Sequence, residues 1–286
     1  MFVEDNQLKT AKNYFSKKLT ALFSSSEINS MWREIICTRF SWSQSDFILN
    51  ANSKFSESDL LFIRSYVKRL KENEPFQYIH EKTNFYGIEL KCDKRALIPR
   101  PETEELVSWI VESGPFKTIG DFCTGSGCIA IALKSKFTES EVTGIDISTE
   151  ALGLAKENSR LTNQTIQFIQ ADVLKLNNEI PNIEWDCIVS NPPYIPINEK
   201  ETMSKNVLDF EPEISLFVDN ESPILFYNAI SNYAKLNLSK NGLLFFEIHP
   251  RYSKEIIQVL KNFGFINIEL RKDLQGKNRM LKAQNV

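Results

Sequence analysis

The segment Asn191-Pro192-Pro193-Tyr194 contains residue types that could hold a planar NH₂ group. It follows Ile188-Val189-Ser190, which is typical of the end of a buried strand. Proline lacks a backbone N–H and fixes its φ near about −65°, and it also keeps the preceding residue extended. The Asn191 side-chain oxygen and the Pro192 carbonyl could therefore accept two hydrogen bonds beside the Tyr194 ring. The alternative interpretation is a strand terminator followed by an ordinary loop.

A glycine turn occurs earlier in the chain, in the stretch TIGDFCTGSGCIAIAL. Its pattern predicts a strand, a tight turn and a helix. Gly125 and Gly127 would let the backbone bend sharply and let a ligand approach without a Cβ in the way. The N-terminus of the following helix presents N–H groups that lack partners within the helix. The turn is similar to dinucleotide-binding loops but lacks their third glycine, so an ordinary turn is an alternative.

Two acidic residues follow the next two predicted strands. Asp146 ends the strand in GIDIS, about twenty residues past the glycine turn, where a carboxylate can accept both hydroxyls of a ribose. Asp172, in QADV, could hydrogen-bond an adenine amino group. Each acid alone could equally be a helix cap or a solvated loop residue. In a doubly wound sheet, however, ligands bind outside the carboxyl ends of the strands, where the glycine turn, Asp146, Asp172 and Asn191 would all lie.

The first 80 or so residues read as helices, followed by a short β-like connector. Apolar residues recur at three- and four-residue spacing at Leu8, Ala11, Phe15, Leu19 and Leu22. A second helix is expected over Ile28–Phe40. A third begins at Ser56, with Asp59 placed for a capping box, and ends before Pro75. The connector, TNFYGIELKC, has a turn at Gly87.

From about residue 100, strand and helix patterns alternate. The predicted strands are Thr118–Phe122, Glu141–Ile145, Ile166–Gln170, Asp186–Ser190, Gly242–Ile248, Phe265–Leu270 and Met280–Ala283. The predicted helices are Cys128–Phe137, Thr149–Leu161, Pro223–Leu238 and Tyr252–Phe263. Short apolar strands that alternate with amphipathic helices indicate a mostly parallel sheet covered on both faces, which is an α/β fold.

Composition narrows the class of protein. The 286 residues are 42% hydrophobic and 25% charged, which is ordinary for a soluble globular protein. The formal net charge of −3 does not favour a dedicated duplex binder, and the basic stretch 64–71 is read as a solvated helix face rather than a local binding patch. The start of the chain lacks a secretion-signal pattern. The chain has five cysteines, without CxxC spacing, and two histidines. This pattern predicts a protein without structural disulfides and without a zinc site. We expect a monomeric cytoplasmic protein that binds no membrane.

The order of glycine turn, strand-end acid and NPPY resembles the class I S-adenosylmethionine-dependent methyltransferases. Among these, NPPY is typical of enzymes that methylate a planar nitrogen: adenine N6 in DNA, guanine N2 in rRNA, or glutamine N5 in proteins. Four further segments resemble the peptide chain release factor N5-glutamine methyltransferase family over roughly residues 74–286. They are EPFQYI, FYGIELKCDKRALIPRPETEELV, FEPEISLF and DLQGKNR.

This resemblance implies a Rossmann-like methyltransferase fold with a mostly parallel seven-stranded sheet and S-adenosylmethionine as cofactor. It implies methylation of the glutamine in the Gly-Gly-Gln motif of peptide chain release factors, with no direct nucleic-acid partner. It also implies a helical substrate-docking domain at 1–80, a β-like connector at 81–99 and a methyltransferase domain at 100–286. A nucleic-acid N-methyltransferase, acting on adenine N6 or guanine N2, is the alternative.

Site residues carried over from the resemblance fall into three overlapping sets. The catalytic residues are Asn191, Pro192 and Tyr194. The cofactor-binding residues are Asp121, Cys123, Thr124, Gly125, Ser126, Gly127, Asp146, Asp172, Val173 and Asn191. The substrate-binding residues are Asn191, Pro192, Pro193, Tyr194 and Arg100, and no metal is expected.

Two positions depart from the pattern of that family. Cys123 stands where the family usually has glycine, and His249-Pro250 stands in the segment FFEIHP where glycine is more frequent. Cysteine is small and apolar, so the turn can be kept. His249 is read as a loop residue rather than a catalyst.

Overall fold

The computed structural model describes residues 5–175, 180 and 183–286, and the chain forms two compact units. The smaller unit comprises Met1–His80 with Lys205–Phe210, and the larger comprises Glu81–Ser204 with Glu211–Val286. None of the helices within the described residues is both long and apolar enough to cross a membrane. Residues 1–4, at the start of the segment that lacks a secretion-signal pattern, lie outside the described part of the chain.

The smaller unit begins with five helices. They are α1 (Leu8–Leu19), α2 (Ser25–Phe40), α3 (Gln44–Leu49), α4 (Glu57–Lys71) and α5 (Phe76–His80). The apolar stripe of α1 is buried as predicted, except that Leu22 lies beyond the helix and is 47% exposed. The chain leaves α1 early because Ser24 starts the next helix: Glu27 N–H donates to Ser24 Oγ at 3.3 Å, and Ser24 N–H donates to Glu27 at 2.8 Å. Such a capping box satisfies two otherwise orphaned N–H groups.

The predicted capping box at Ser56 and Asp59 opens α4, with N–H···O distances of 3.0 and 3.2 Å. This helix ends at Lys71, before Pro75 as expected. The short helices α3 and α5 were not predicted, because five or six residues are too few to display a helical period. These short helices are stabilised by packing against the apolar core of the unit, which includes Phe15, Trp32 and Leu70, because their local helix propensity is not sufficient.

The connector is a β-hairpin of β1 (Lys82–Phe85) and β2 (Ile88–Lys91), paired antiparallel. Its turn residues Tyr86 and Gly87 have φ of 53° and 78°. Two consecutive positive φ values match the right-handed twist of the flanking strands, so the predicted turn at Gly87 is confirmed.

The remaining strands of the larger unit are β3 (Thr118–Phe122), β4 (Glu141–Asp146), β5 (Gln167–Gln170), β6 (Trp185–Ser190), β7 (Ile195–Pro196), β8 (Phe217–Val218), β9 (Leu238–Glu247), β10 (Ile266–Lys272) and β11 (Asn278–Gln284). In the described residues, one seven-stranded sheet has the order β10-β11-β9-β6-β3-β4-β5. Strand β11 runs antiparallel to both neighbours, and the pairs from β9 to β5 are parallel. Strands β7 and β8 form a separate short parallel pair.

The remaining helices are α6 (Pro101–Ser113), α7 (Cys128–Lys136), α8 (Thr149–Leu161), α9 (Lys205–Phe210), α10 (Leu225–Asn237) and α11 (Ser253–Asn262). The strand and helix predictions from residue 118 onward are therefore confirmed, with ends that shift by one to a few residues. The largest shift is at β9, which begins at Leu238 rather than Gly242, directly where α10 stops.

Both faces of the central strands β3 and β6 are buried, which explains the apolar character of β6, whereas the edge strands β5 and β10 are largely exposed. Ile188 of β6 packs into one core with helices α10 and α11. Its neighbours Cys187 and Val189 pack into a second core with α6 and α7. Successive side chains of a strand point to opposite faces, so every position of such a strand meets an apolar layer. This layered arrangement is the class I methyltransferase fold expected from the sequence.

The turn between β3 and α7 requires three positive φ values, at Cys123 (62°), Gly125 (56°) and Gly127 (80°). A Cβ at Gly127 would also lie 3.1 Å from Ala155 Cβ. Position 127 therefore requires glycine both for its positive φ and for the lack of space. Cys123 is the exception, because a left-handed conformation costs a residue with a Cβ about 1–2 kcal/mol. The departure from the family pattern therefore falls at a position whose backbone favours glycine.

We predict that the free energy of unfolding of the Cys123→Gly variant equals that of Cys123→Ala or exceeds it by up to about 1 kcal/mol. Relief of about 1–2 kcal/mol of strain outweighs the roughly 0.5–1 kcal/mol by which glycine is normally the less stable residue. Urea unfolding midpoints of the two variants measure the difference. As a control, Ser135→Gly in α7 should be less stable than Ser135→Ala. If Cys123→Gly were likewise less stable than Cys123→Ala, the argument that residue 123 is strained would be contradicted.

Candidate active site

A cavity of about 310 Å³ opens within the larger unit at the carboxyl edge of its sheet. Ten of the predicted site residues line it: Arg100, Cys123, Thr124, Gly125, Ser126, Asp146, Asp172, Val173, Asn191 and Pro193. They come from the ends of β3, β4, β5 and β6 and from the residue before α6. Four predicted residues, Asp121, Gly127, Pro192 and Tyr194, are not on its wall.

Asp146 connects the end of β4 to the glycine turn. Gly125 N–H donates to its Oδ2 at 2.9 Å, and Ser148 N–H donates to its Oδ1 at 2.9 Å. Burial raises the pKa of this carboxyl, and the backbone hydrogen bonds oppose that rise. A carboxylate has about four lone-pair sites, so two backbone donors leave acceptor capacity for a ligand in the cavity.

Asp172 lies at the same edge, after β5, as predicted. Its Oδ1 accepts a hydrogen bond from Leu174 N–H at 2.9 Å, and Lys175 Nζ lies 3.1 Å from Oδ2. Val173, next to it, is buried. One end of the cavity is thus formed by a carboxylate and an apolar side chain, a combination suited to a heteroaromatic ring with an exocyclic amino group.

Asn191 stands at the opposite end of the cavity, directly after β6. Ser190 Oγ donates to the Phe122 carbonyl at 2.6 Å, which fixes the preceding strand end. The Asn191 side chain donates from Nδ2 to Thr103 Oγ1 at 3.3 Å. This contact turns the amide nitrogen toward α6, and Oδ1 consequently faces the other way.

Tyr194 lies behind this wall of the cavity rather than on it. Its hydroxyl donates to Glu247 Oε1 at 3.1 Å, while Thr103 Oγ1 donates to Glu247 Oε2 at 2.7 Å. Burial raises the pKa of the Glu247 carboxyl, and Thr103, Arg279 and Tyr194 oppose that rise. Burial is also the main cause that raises the pKa of the Tyr194 hydroxyl, so this group stays a donor at neutral pH.

Arg100 lines the cavity as predicted, held extended with φ −107° and ψ 148° before Pro101. Its Nη2 donates to Glu211 Oε1 at 2.6 Å, and Ile98 N–H donates to Glu211 Oε2 at 3.2 Å. The Glu211 side chain is only 1% exposed. The guanidinium is therefore fixed by a buried partner, and its role toward a substrate stays a prediction.

Asp121 lies beneath the glycine turn instead of in the cavity. Thr124 Oγ1 and Ala130 N–H donate to its Oδ2 at 2.6 and 3.1 Å. It is fully buried, and burial raises the pKa of its carboxyl to about 7. Within the described residues no donor reaches Oδ1. In this structure Asp121 shapes the turn that lines the cavity.

His249 does not line the cavity either, and its ring centroid lies 6.0 Å from that of Tyr194. Its Nδ1 accepts a hydrogen bond from Arg251 N–H at 3.3 Å, and its Nε2 lies 3.2 Å from Glu199 Oε2. Burial lowers the pKa of the imidazole despite that carboxylate. The ring therefore serves as a cap of the turn after β9, in agreement with its reading as a loop residue.

Sequence reasoning missed Thr103, Glu211 and Glu247, which support the predicted site. Glu247 ends β9, so the rule that selected Asp146 also applied to it. Thr103 and Glu211 lie within the segments RPETEE and FEPEIS, but their partners are 144 and 111 or more residues away. No local pattern reveals such pairing.

Comparison with known families assigns most of the chain. A model described as the PrmC N-terminal domain matches residues 10–80. A second model, the methyltransferase small domain, matches residues 101–209. The two matches fall on the helices that precede the hairpin and on the segment that carries the glycine turn, Asp146, Asp172 and Asn191.

Two solved structures share the fold. A methyltransferase from Pyrococcus furiosus aligns over 77% of this chain and 98% of its own, with a TM-score of 0.55 and 13% identity. A T. thermophilus 16S rRNA N2 G1207 methyltransferase, RsmC, in complex with AdoMet and guanosine, aligns over 72% of this chain and 50% of its own. Its TM-score is 0.51 at 16% identity, so both similarities concern the fold alone.

Relatives that span nearly the whole chain are more specific. The release factor glutamine methyltransferase of Flavobacterium psychrophilum is 38% identical over 96% of this chain and 98% of its own length. That of Lactococcus lactis is 36% identical over 90% and 93%. These matches extend over both compact units and include the NPPY segment of the cavity wall. The chain therefore belongs to the release factor glutamine methyltransferase family.

Proposed function

We propose that this protein transfers a methyl group from S-adenosylmethionine to the side-chain amide nitrogen of the glutamine in the Gly-Gly-Gln motif of a peptide chain release factor. The observation that carries the proposal is the orientation of Asn191. Its nitrogen is engaged by Thr103 at 3.3 Å, so its oxygen is the group available to accept a hydrogen bond from a substrate NH₂. Family membership supports the choice of substrate.

The cavity residues fit the proposed cofactor. A volume of about 310 Å³ lies in the usual range of about 300–1,000 Å³ for small-molecule sites. Asp146 offers acceptors for ribose hydroxyls at one strand end, and Asp172 offers one for an amino group at the next. The glycine turn lets backbone approach the ligand closely. When bound, S-adenosylmethionine supplies a methyl group on a sulfonium, which is already activated for transfer.

The protein must then align an amide nitrogen whose lone pair is delocalised. Asn191, on the cavity wall, accepts one N–H of the glutamine amide through Oδ1. The Pro192 carbonyl is proposed as the acceptor of the second N–H on the family resemblance, since Pro192 itself does not line the cavity, and the two hydrogen bonds hold the nitrogen in line with the methyl group. As the nitrogen becomes more positive in the transition state, both hydrogen bonds strengthen. Interactions that strengthen in this way lower the barrier, and alignment itself contributes several kcal/mol in comparable systems, at most about 7–11.

Prolines make this arrangement rigid. Pro192 and Pro193 are both buried, and neither can donate a backbone N–H. Tyr194, which lies behind the cavity wall, is fixed through its hydroxyl to Glu247, and contact of its ring with the substrate amide stays a prediction. Arg100 stands at the same rim, paired with Glu211, where its guanidinium can contact the substrate backbone.

The identity of the methyl acceptor is the direct test. Purified release factor should accept labelled methyl groups from S-adenosylmethionine, and its Gly-Gly-Gln Gln→Ala variant should not. Duplex DNA and rRNA fragments, offered under identical conditions, should remain unlabelled, because no strong basic excess is present to bind them. Label on nucleic acid would reject the proposal in favour of a nucleic-acid N-methyltransferase, and undiminished label on the Gln→Ala factor would reject the Gly-Gly-Gln glutamine as the acceptor.

Replacement of the clamp residue tests the mechanism. Asn191→Ala should lower kcat by about 10²–10³-fold, the usual loss when one preorganised hydrogen bond to a transition state is removed. The matched control is Asn198→Ala in the same loop, whose side chain is exposed and whose backbone N–H makes the local hydrogen bond. Single-turnover rates with saturating release factor provide the measurement. Activity of Asn191→Ala within a few-fold of wild type would contradict the clamp.

The smaller unit is inferred to dock the release factor outside its Gly-Gly-Gln loop. A groove along α1 and α4 is lined by four cationic side chains and one acidic one, together with Tyr14, Leu61, Ser65 and Val67. The cationic residues are Lys18, Arg64, Lys68 and Lys71, and the acidic residue is Glu72. Three of the cations belong to the stretch 64–71, which the sequence favoured as a solvated helix face and which is here proposed as a binding patch instead. A groove with this charge fits an acidic surface of a folded partner, because complementary charge steers encounter.

Charge reversal in this groove should weaken the interaction with the whole factor only. Lys18→Glu together with Lys71→Glu should raise KM for intact release factor about tenfold, since each exposed pair contributes up to about 1 kcal/mol. KM for a short Gly-Gly-Gln peptide should not change. Lys9→Glu, on exposed α1 surface away from the groove, is the matched control. Equal effects on factor and peptide would contradict a docking role.

A further inference from the structure

One buried carboxylate lies behind the wall formed by the NPPY segment and receives two side-chain donors. Glu247, at the end of β9, is 2% exposed. Thr103 Oγ1 donates to one of its oxygens at 2.7 Å, and the Tyr194 hydroxyl donates to the other at 3.1 Å. Tyr227, on α10, donates from its hydroxyl to the Glu247 carbonyl oxygen at 3.1 Å. The backbone of Glu247 is thus fixed by Tyr227, and its carboxylate contacts Thr103 and Tyr194, one on α6 and one in the NPPY segment.

The chemistry of the three groups fixes the direction of each hydrogen bond. The Thr103 and Tyr194 hydroxyls each donate to a different oxygen of the Glu247 carboxyl group, so the single proton of the Thr103 hydroxyl is engaged there. That hydroxyl can then only accept from Asn191, which must present Nδ2 to it, at 3.3 Å. The amide oxygen of Asn191 is thereby placed on the opposite side. Glu247 sets the orientation of a side chain that it does not touch.

Orientation of this amide decides whether the clamp can work. Rotation by half a turn exchanges the Asn191 oxygen and NH₂ group, which are nearly equal in size. The substrate amide would then face a donor where it needs an acceptor. Thr103 is 3% exposed, so solvent cannot readily replace its hydroxyl as the partner of Nδ2.

We propose that Glu247 and Thr103 are positioning residues for methyl transfer, acting through Asn191 and Tyr194. Glu247 orients the Thr103 hydroxyl, the hydroxyl orients the Asn191 amide, and the second carboxylate oxygen holds Tyr194. The proposal rests on the proposed function for its kinetic consequence, while its geometric content can be tested without any turnover.

Substitutions at Thr103 separate the hydroxyl from the packing. Thr103→Val keeps the shape but removes the hydroxyl, whereas Thr103→Ser keeps the hydroxyl. Thr103→Val should lower kcat by about 10- to 100-fold, since small misplacement of a reacting group costs up to about 10²-fold, while the Kd for S-adenosylmethionine stays within about twofold. Thr103→Ser should restore most of kcat. A Thr103→Val enzyme with wild-type kcat, or equal losses in both variants, would overturn the proposal.

A second measurement uses the wild-type protein and requires no catalysis. The side-chain NH₂ of Asn191, assigned in NMR spectra by its absence from Asn191→Ala, should show slowed hydrogen exchange. Protection should disappear in Thr103→Val and in Glu247→Gln, because a glutamine can accept through one oxygen only. An unprotected Asn191 NH₂ in the wild type would overturn the proposal. Protection in a protein that transfers no methyl group to release factor would sustain the geometry and reject the proposed function instead.

Discussion

Parallel pairing of β3 with β4 on one side and β6 on the other is the constraint on which the site depends. The register places Phe122 opposite both Ile145 and Ser190, so three strands end at the same height. Each strand is followed by a residue that faces the cavity. The chain reverses its order of strand addition at this point, and doubly wound sheets bind ligands at such a reversal. A shift of one residue in either pairing would turn every following side chain to the other face.

Buried acids supported by donors fix the walls around this edge. Asp121 holds the glycine turn, Glu211 holds Arg100, and Glu247 holds Thr103 and Tyr194. Burial of a charge is costly unless donors or cations compensate it, and here each carboxylate receives at least two hydrogen bonds. The donors are themselves site residues or lie beside them. The same hydrogen bonds that make burial of these acids tolerable therefore also determine where the cavity residues point.

At the two positions that depart from the family pattern, Cys123 and His249, the local backbone and its hydrogen bonds are kept. Cys123 takes a left-handed conformation usually reserved for glycine, yet the turn keeps its hydrogen bonds, including Thr124 N–H to the Ile145 carbonyl at 2.9 Å. His249 replaces a frequent glycine but caps the next turn and contacts Glu199. In both cases the surrounding packing and hydrogen bonds decide the backbone, and the side chain adapts to it.

The sequence by itself determined the elements and the chemistry at their ends. Periodicity located the strands and long helices, because a strand buried on both faces and an amphipathic helix each leave a repeat that local reading detects. Glycines, prolines and strand-end acids marked the cavity, since their backbone limits and charges are properties of single residues. Short helices such as α3 lacked enough residues to show a period, and Leu22 was assigned to α1 because a spacing rule does not see the capping box that starts the next helix.

Only the tertiary structure decided which side chains meet. Asp121 carries the same carboxyl group as Asp146, but the turn folds over it and removes it from the cavity. Thr103 and Glu247 are separated by 144 residues, and no spacing in the chain indicates that they share a hydrogen bond behind Asn191. Strand order and register set those distances. They follow from the packing of whole layers, so the orientation of the Asn191 amide is a property of the folded chain rather than of the four letters NPPY.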